Sequence, residues 1–107
     1  MEWLLLIKRC LAAESLLYTS HARREMKQEP FGGICEQEVY EAISAAEVIE
    51  EYLDDTPYPS VLLFGTTRAL RPLHVVCAVD VEDQRTIVIT VYHPDARRWD
   101  DFRRRKR

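Results

Sequence analysis

The most regular hydrophobic pattern in the chain runs from Arg71 to Pro94. It reads RPLHVVCAVD, VEDQ and RTIVITVYHP, two β-branched alternating runs around a short polar segment. That pattern predicts an antiparallel hairpin. Leu73, Val75, Cys77 and Val79 fall on one face of the first strand, and Ile87, Ile89 and Val91 on one face of the second. These are the expected core faces. With Val79 opposite Ile87, Cys77 meets Ile89, Val75 meets Val91, and on the reverse face His74 lies across from Tyr92. A slip of one residue would set apolar against polar positions along the ladder, whereas a slip of two preserves the pattern.

Upstream, Trp3, Leu4, Ile7 and Leu11 follow helical spacing and predict an amphipathic helix over residues 1–13. Leu16 to Thr19 reads as a brief strand. Ser20 can then cap a helix from His21 to about Gln28, which Pro30, Gly32 and Gly33 break. The next helix starts legibly, with Cys35 at the cap, Glu38 at the third helical position, and Ile34 and Val39 as a hydrophobic staple. Val39, Ala42, Ile43 and Ala46 form its apolar stripe. From Glu47 the period shifts towards two, predicting strands over Val48–Leu53 and Ser60–Thr66 with a turn at Asp54, Asp55, Thr56 and Pro57. After Pro94 a short helix is expected over Asp95–Phe102 around Trp99, followed by a frayed basic end. The expected class is α+β: one domain over residues 1–107, with an antiparallel sheet of about four strands and helices on one face. Its core spans residues 16–102, and its tail residues 103–107.

Charge changes this picture in one respect. The net charge of -3 over 107 residues conceals an acidic body and a basic end. Residues 97–107 carry Arg97, Arg98, Arg103, Arg104, Arg105, Lys106 and Arg107 against Asp100 and Asp101, a net of +5, which leaves -8 for residues 1–96. Eight carboxylates lie between Glu36 and Asp55 with no basic residue among them, either a solvated face or a surface for a basic partner. Cys10, Cys35 and Cys77 are odd in number and scattered, as in a reduced, cytoplasmic protein. His74 and Cys77 have the offset of a metal chelate, but on a strand that offset sends them to opposite faces, so no metal site is expected. The opening MEWLLLIKRC has too short an apolar run for a signal peptide or a membrane span.

Four pieces, SHARREM, EVIEEYLDDTPYPSVLLFG, RPLHVVCAVD and VITVYHPDARRW, together resemble a bacterial domain-of-unknown-function family, number 4258. That family is similar to the BrnT and RelE class of toxin ribonucleases, and the resemblance covers roughly residues 16 to 105. It implies a RelE/BrnT-like toxin fold and the toxin of a type II toxin-antitoxin pair. Such a toxin acts on RNA as a metal-independent endoribonuclease without a cofactor, and is neutralised by a cognate antitoxin, of zinc-finger type in some members. His21, Arg24, His74, Tyr92, Pro94 and Trp99 stand at the family's recurrent polar and aromatic positions. The chain departs from the family where an Arg-Gly-Ile turn is usual before the second helix. Here it has Phe31-Gly32-Gly33-Ile34, with Cys35 in place of a Ser or Thr cap.

Metal-free RNA cleavage needs a base for the 2′-OH, a cation for the phosphorane and an acid for the leaving oxygen. His74 suits acid or base work because the ordinary imidazole pKa lies near cellular pH. Tyr92 would orient the phosphate or stack on a base, and His21 stands at a helix start that favours anions. The catalytic candidates are therefore His74, Tyr92 and His21, with Arg24 and Arg71 as phosphate ligands. Each has a plain alternative: a histidine bonded within the sheet, an aromatic covering an apolar face, surface cations. Trp99 reads as a core anchor. Asp80 and Glu82 would suggest a metal-dependent nuclease, but the lysine neighbour that such a site needs is absent. The competing class is a non-catalytic module of the same fold that binds protein or RNA.

Overall fold

The structure is a computed structural model and describes residues 2–107. Three helices, α1 (Trp3–Ala12), α2 (Ser20–Gln28) and α3 (Glu36–Ser44), lie against a five-stranded sheet, one strand more than expected. Its strands are β1 (Leu16–Tyr18), β2 (Glu47–Tyr52), β3 (Ser60–Thr66), β4 (Pro72–Asp80) and β5 (Arg85–Tyr92), in the order β1-β5-β4-β3-β2. The meander is antiparallel, but β1 joins the far edge parallel to β5, which makes the sheet mixed. The fold is α+β.

One face of the sheet is apolar and carries the helices. Val61, Leu63, Leu73, Val75 and Cys77 point into it, and Ile7, Ala22, Met26, Val39, Ala42 and Ile43 meet them, all buried. The cap of α3 is the expected one, while that of α2 falls one residue early. Thr19, one residue before the expected Ser20, accepts the Ala22 N–H at 3.0 Å, while Glu38 reaches back to accept the Cys35 N–H at 3.1 Å. Gly65 stands where α3 crosses β3. A Cβ there would lie 1.9 Å from the Ala42 carbonyl oxygen, so only glycine allows this approach.

The hairpin register departs from expectation at one residue. His74 pairs with Tyr92 and Val75 with Val91, as the alternation predicts. Beyond them a bulge at Ile89 puts Cys77 opposite Val88 and Val79 opposite Thr86. Thr86 and Val88 therefore turn into the core, fully buried, while Ile87 and Ile89 are half-buried. The bulge frees the Ile89 carbonyl, and the Thr19 hydroxyl donates to it at 3.2 Å, so the residue that caps α2 also ties that helix to the sheet. Past the end of β1, the outer edge of β5 is served by α2. Glu25 accepts the Val91 N–H at 3.1 Å, and Glu29 the His93 N–H at 3.2 Å.

The end of the chain corrects the expectation of a helix over Asp95–Phe102 and a frayed tail. Residues Trp99–Asp100 (β6) and Arg104–Arg105 (β7) form a small hairpin, with Asp101 (φ 55°) and Phe102 (φ 59°) left-handed at its turn. This hairpin lies over the sheet face opposite the helices. Arg103 and Arg105 bond to Glu47 and Glu50 on β2. Part of the basic end thus satisfies part of the acidic stretch. No helix among the described residues is long and apolar enough to cross a membrane.

Candidate functional site

His74 and Tyr92 are brought together as the register predicts, but on a covered face rather than an exposed one. His74 is fully buried. Its Nε2 lies 2.6 Å from the Phe102 carbonyl oxygen, and its Nδ1 3.0 Å from the Tyr92 hydroxyl. A carbonyl can only accept, so Nε2 carries the proton, Nδ1 accepts from the tyrosine, and the ring is neutral. Trp99 meets it edge-on at 4.5 Å and Phe64 at 5.9 Å. Burial holds His74 below its ordinary pKa, opposed by the Phe102 carbonyl and Glu50. Burial likewise pushes the Tyr92 hydroxyl up to about 12. With both ring nitrogens bonded and the ring closed to solvent, His74 anchors the C-terminal hairpin, while Tyr92 is half-buried and its other side lines the groove described below. Cys77 faces the helices, so it and His74 lie on opposite sides, as their spacing implies.

The remaining candidates are dispersed. His21, on the exposed start of α2, approaches Glu25 at 3.3 Å and makes no contact with His74 or Tyr92. Arg24 is exposed on the same helix. Arg71 is spent on structure. It bonds to the Gly32 carbonyl, to the Gly33 carbonyl at 3.0 Å and to Glu38 at 3.2 Å, which fixes the segment between α2 and α3. Its Nε donates to His93 Nδ1 at 3.4 Å.

That last contact leads to a groove of about 650 Å³ between the segment after α2 and the C-terminal arm. Its walls hold five Arg or Lys side chains and two carboxylates. Asp95 engages Arg97, which holds the Asp95 carboxyl down at about 2, and Glu50 engages Arg105. Arg98, Lys106 and Arg107 have no ion pair among the described residues. Beside them Phe31, 57% exposed, stacks on His93 with ring centroids 4.6 Å apart and planes 26° from parallel. Burial and the Arg71 guanidinium hold His93 below its ordinary pKa. Sequence reasoning passed over Phe31, His93 and Arg98 as site residues. The legible signal was the His-Pro step followed by paired arginines in HPDARR, an aromatic-basic cluster just past a strand end.

Fold and groove together define a small α+β domain with an acidic body and one basic, aromatic-lined concavity. Residues 18–93 match the model of a family described as a domain of unknown function, DUF4258, and the chain belongs to that family. The match covers α2, α3 and the antiparallel meander β2–β5, takes in only the last residue of β1, and stops short of the C-terminal hairpin. No curated protein and no solved structure matches the chain.

Proposed function

We propose that this protein works in the cytoplasm as the toxin of a toxin-antitoxin pair and engages RNA in the groove beside the end of β5. The observation that carries this reading is the set of unpaired cations, Arg98, Lys106 and Arg107, next to the exposed Phe31 ring on an otherwise acidic molecule. Cations bind phosphates by releasing counterions, and aromatic faces stack on bases. The neutralising antitoxin of such a pair would compete for this groove. The test is RNA binding by the wild type beside an Arg98→Glu/Lys106→Glu double variant over a salt series. The expected result is binding that weakens as salt rises and is lost in the variant. Equal binding by both proteins would refute the assignment.

Metal-independent cleavage is the second reading, favoured by the imidazole of His93 in the same groove as the free cations. Proton transfer and charge stabilisation would then come from groove residues, not from His74. Removing such a group typically lowers the rate about 10²-fold to 10⁴-fold. RNA cleavage that persists in EDTA and falls on that scale in His93→Gln supports this reading. Binding without cleavage leaves a non-catalytic RNA-binding module.

A further inference from the structure

We infer that the Phe31 and His93 stack is a nucleobase platform, and that the groove takes single-stranded rather than duplex RNA. This inference rests on the RNA reading above and adds to it the form of the ligand. Phe31 has one ring face on His93, yet more than half of the residue is open to solvent. That exposure leaves aromatic surface available to a ligand beside the groove. The platform is also fixed from behind at several points. Glu29 accepts the Phe31 N–H at 3.4 Å and the His93 N–H at 3.2 Å, one carboxylate oxygen to each. Arg71 holds the His93 ring through Nδ1 and the Gly32 and Gly33 carbonyls just after Phe31. The two rings therefore meet a ligand already positioned, without an ordering cost on binding.

The chemistry around the platform selects an anion with a flat apolar part. Arg98, Lys106 and Arg107 supply free positive charge along the same groove, and an exposed ring face supplies a stacking surface that every base can use. In a duplex the bases are stacked on each other and their faces are hidden, so a stacking site discriminates against it. A purely electrostatic groove would not.

The test is fluorescence anisotropy with the full chain and four probes of equal charge: a short single-stranded oligoadenylate, the same backbone with abasic spacers, an RNA duplex and an acidic peptide. One stacked base is worth roughly 5-fold to 100-fold in affinity. The oligoadenylate should exceed the abasic strand by that factor. Phe31→Ala should erase the difference, and Phe31→Trp should keep it. Phe31 is exposed, so both variants should fold, which circular dichroism checks. Equal affinity for the oligoadenylate and the abasic strand, or for single strand and duplex, would overturn the platform while leaving the RNA reading intact. Preference for the acidic peptide would overturn both and assign the groove to a protein partner.

Discussion

The two faces of the sheet are closed by different forces. The helix face is sealed by interlocking aliphatic side chains, with Ile7, Val39, Ile43, Leu63 and Leu73 each without solvent exposure. The opposite face is sealed by the folded-back hairpin through a buried imidazole, aromatic edges and guanidinium groups. Arg103 lies 4.8 Å over Phe64, Arg105 4.7 Å over Trp99, and both reach carboxylates on β2. Apolar burial is non-directional and is not weakened by charge screening, whereas ion pairs and cation–π contacts are directional and screened. The helix face should therefore set global stability, and the hairpin face should respond to pH and ionic strength.

The largest effect is expected on the helix face. Gly65→Ala places a methyl against backbone at the α3 crossing, where no flexible side chain can yield. It should destabilise the protein by about 4 kcal/mol, read as a drop in the urea midpoint. A change within about 0.5 kcal/mol would mean that α3 does not dock as described.

Next comes His74→Ala, at about 2 to 3 kcal/mol, because it removes a fully buried ring and leaves the Tyr92 hydroxyl and the Phe102 carbonyl unpaired. The same residue gives the hairpin face its pH dependence. Burial lowers the His74 pKa in the folded state, so below about 6.5 the unfolded chain binds a proton that the folded chain resists. Stability should be complete above that pH and fall as pH decreases towards the folded value. His74→Gln should flatten part of this slope in pH-dependent melts. An unchanged slope would place the sensitivity elsewhere.

How much of this contrast the sequence disclosed depends on the distance between the residues concerned. The pairing of His74 with Tyr92 was legible because alternation in a hairpin fixes which side chains oppose. The bulge at Ile89 was not, since Thr86 and Val88 form as plausible a β-branched inward set as Ile87 and Ile89. The C-terminal hairpin was hidden for another reason. Phe102 is a poor turn residue in isolation, and its left-handed φ is sustained by a carbonyl bonded to a histidine 28 positions earlier. The answer to the carboxylates of 36–55 likewise lay some 55 residues away, in Arg103 and Arg105. The groove was missed because it joins Phe31 to His93, two loop residues that carry no periodicity.

The smallest effect sharpens the comparison from the salt side. Arg105→Ala loses the two bonds to Glu50 and the cover on Trp99. An ion pair this exposed should contribute at most about 1 kcal/mol, and less as salt rises. Tryptophan emission from Trp99 should shift to longer wavelength in the variant, and in the wild type at high salt. Stability of the wild type that does not vary between low and high salt would show that the aromatic contacts alone hold the hairpin.

Glu25 of α2 and Glu29 just past its end have a consequence for how copies of this chain behave towards one another. Where β5 outruns β1, its outward N–H groups would form an open edge, the kind that recruits a strand from a neighbouring molecule. Glu25 and Glu29 occupy the donors at Val91 and His93, so the helix acts as a plug against zippering between chains. A variant with both positions made apolar would leave that edge bare while the core stayed packed. Its failure would be self-association of a folded protein, growing with concentration, rather than loss of the fold.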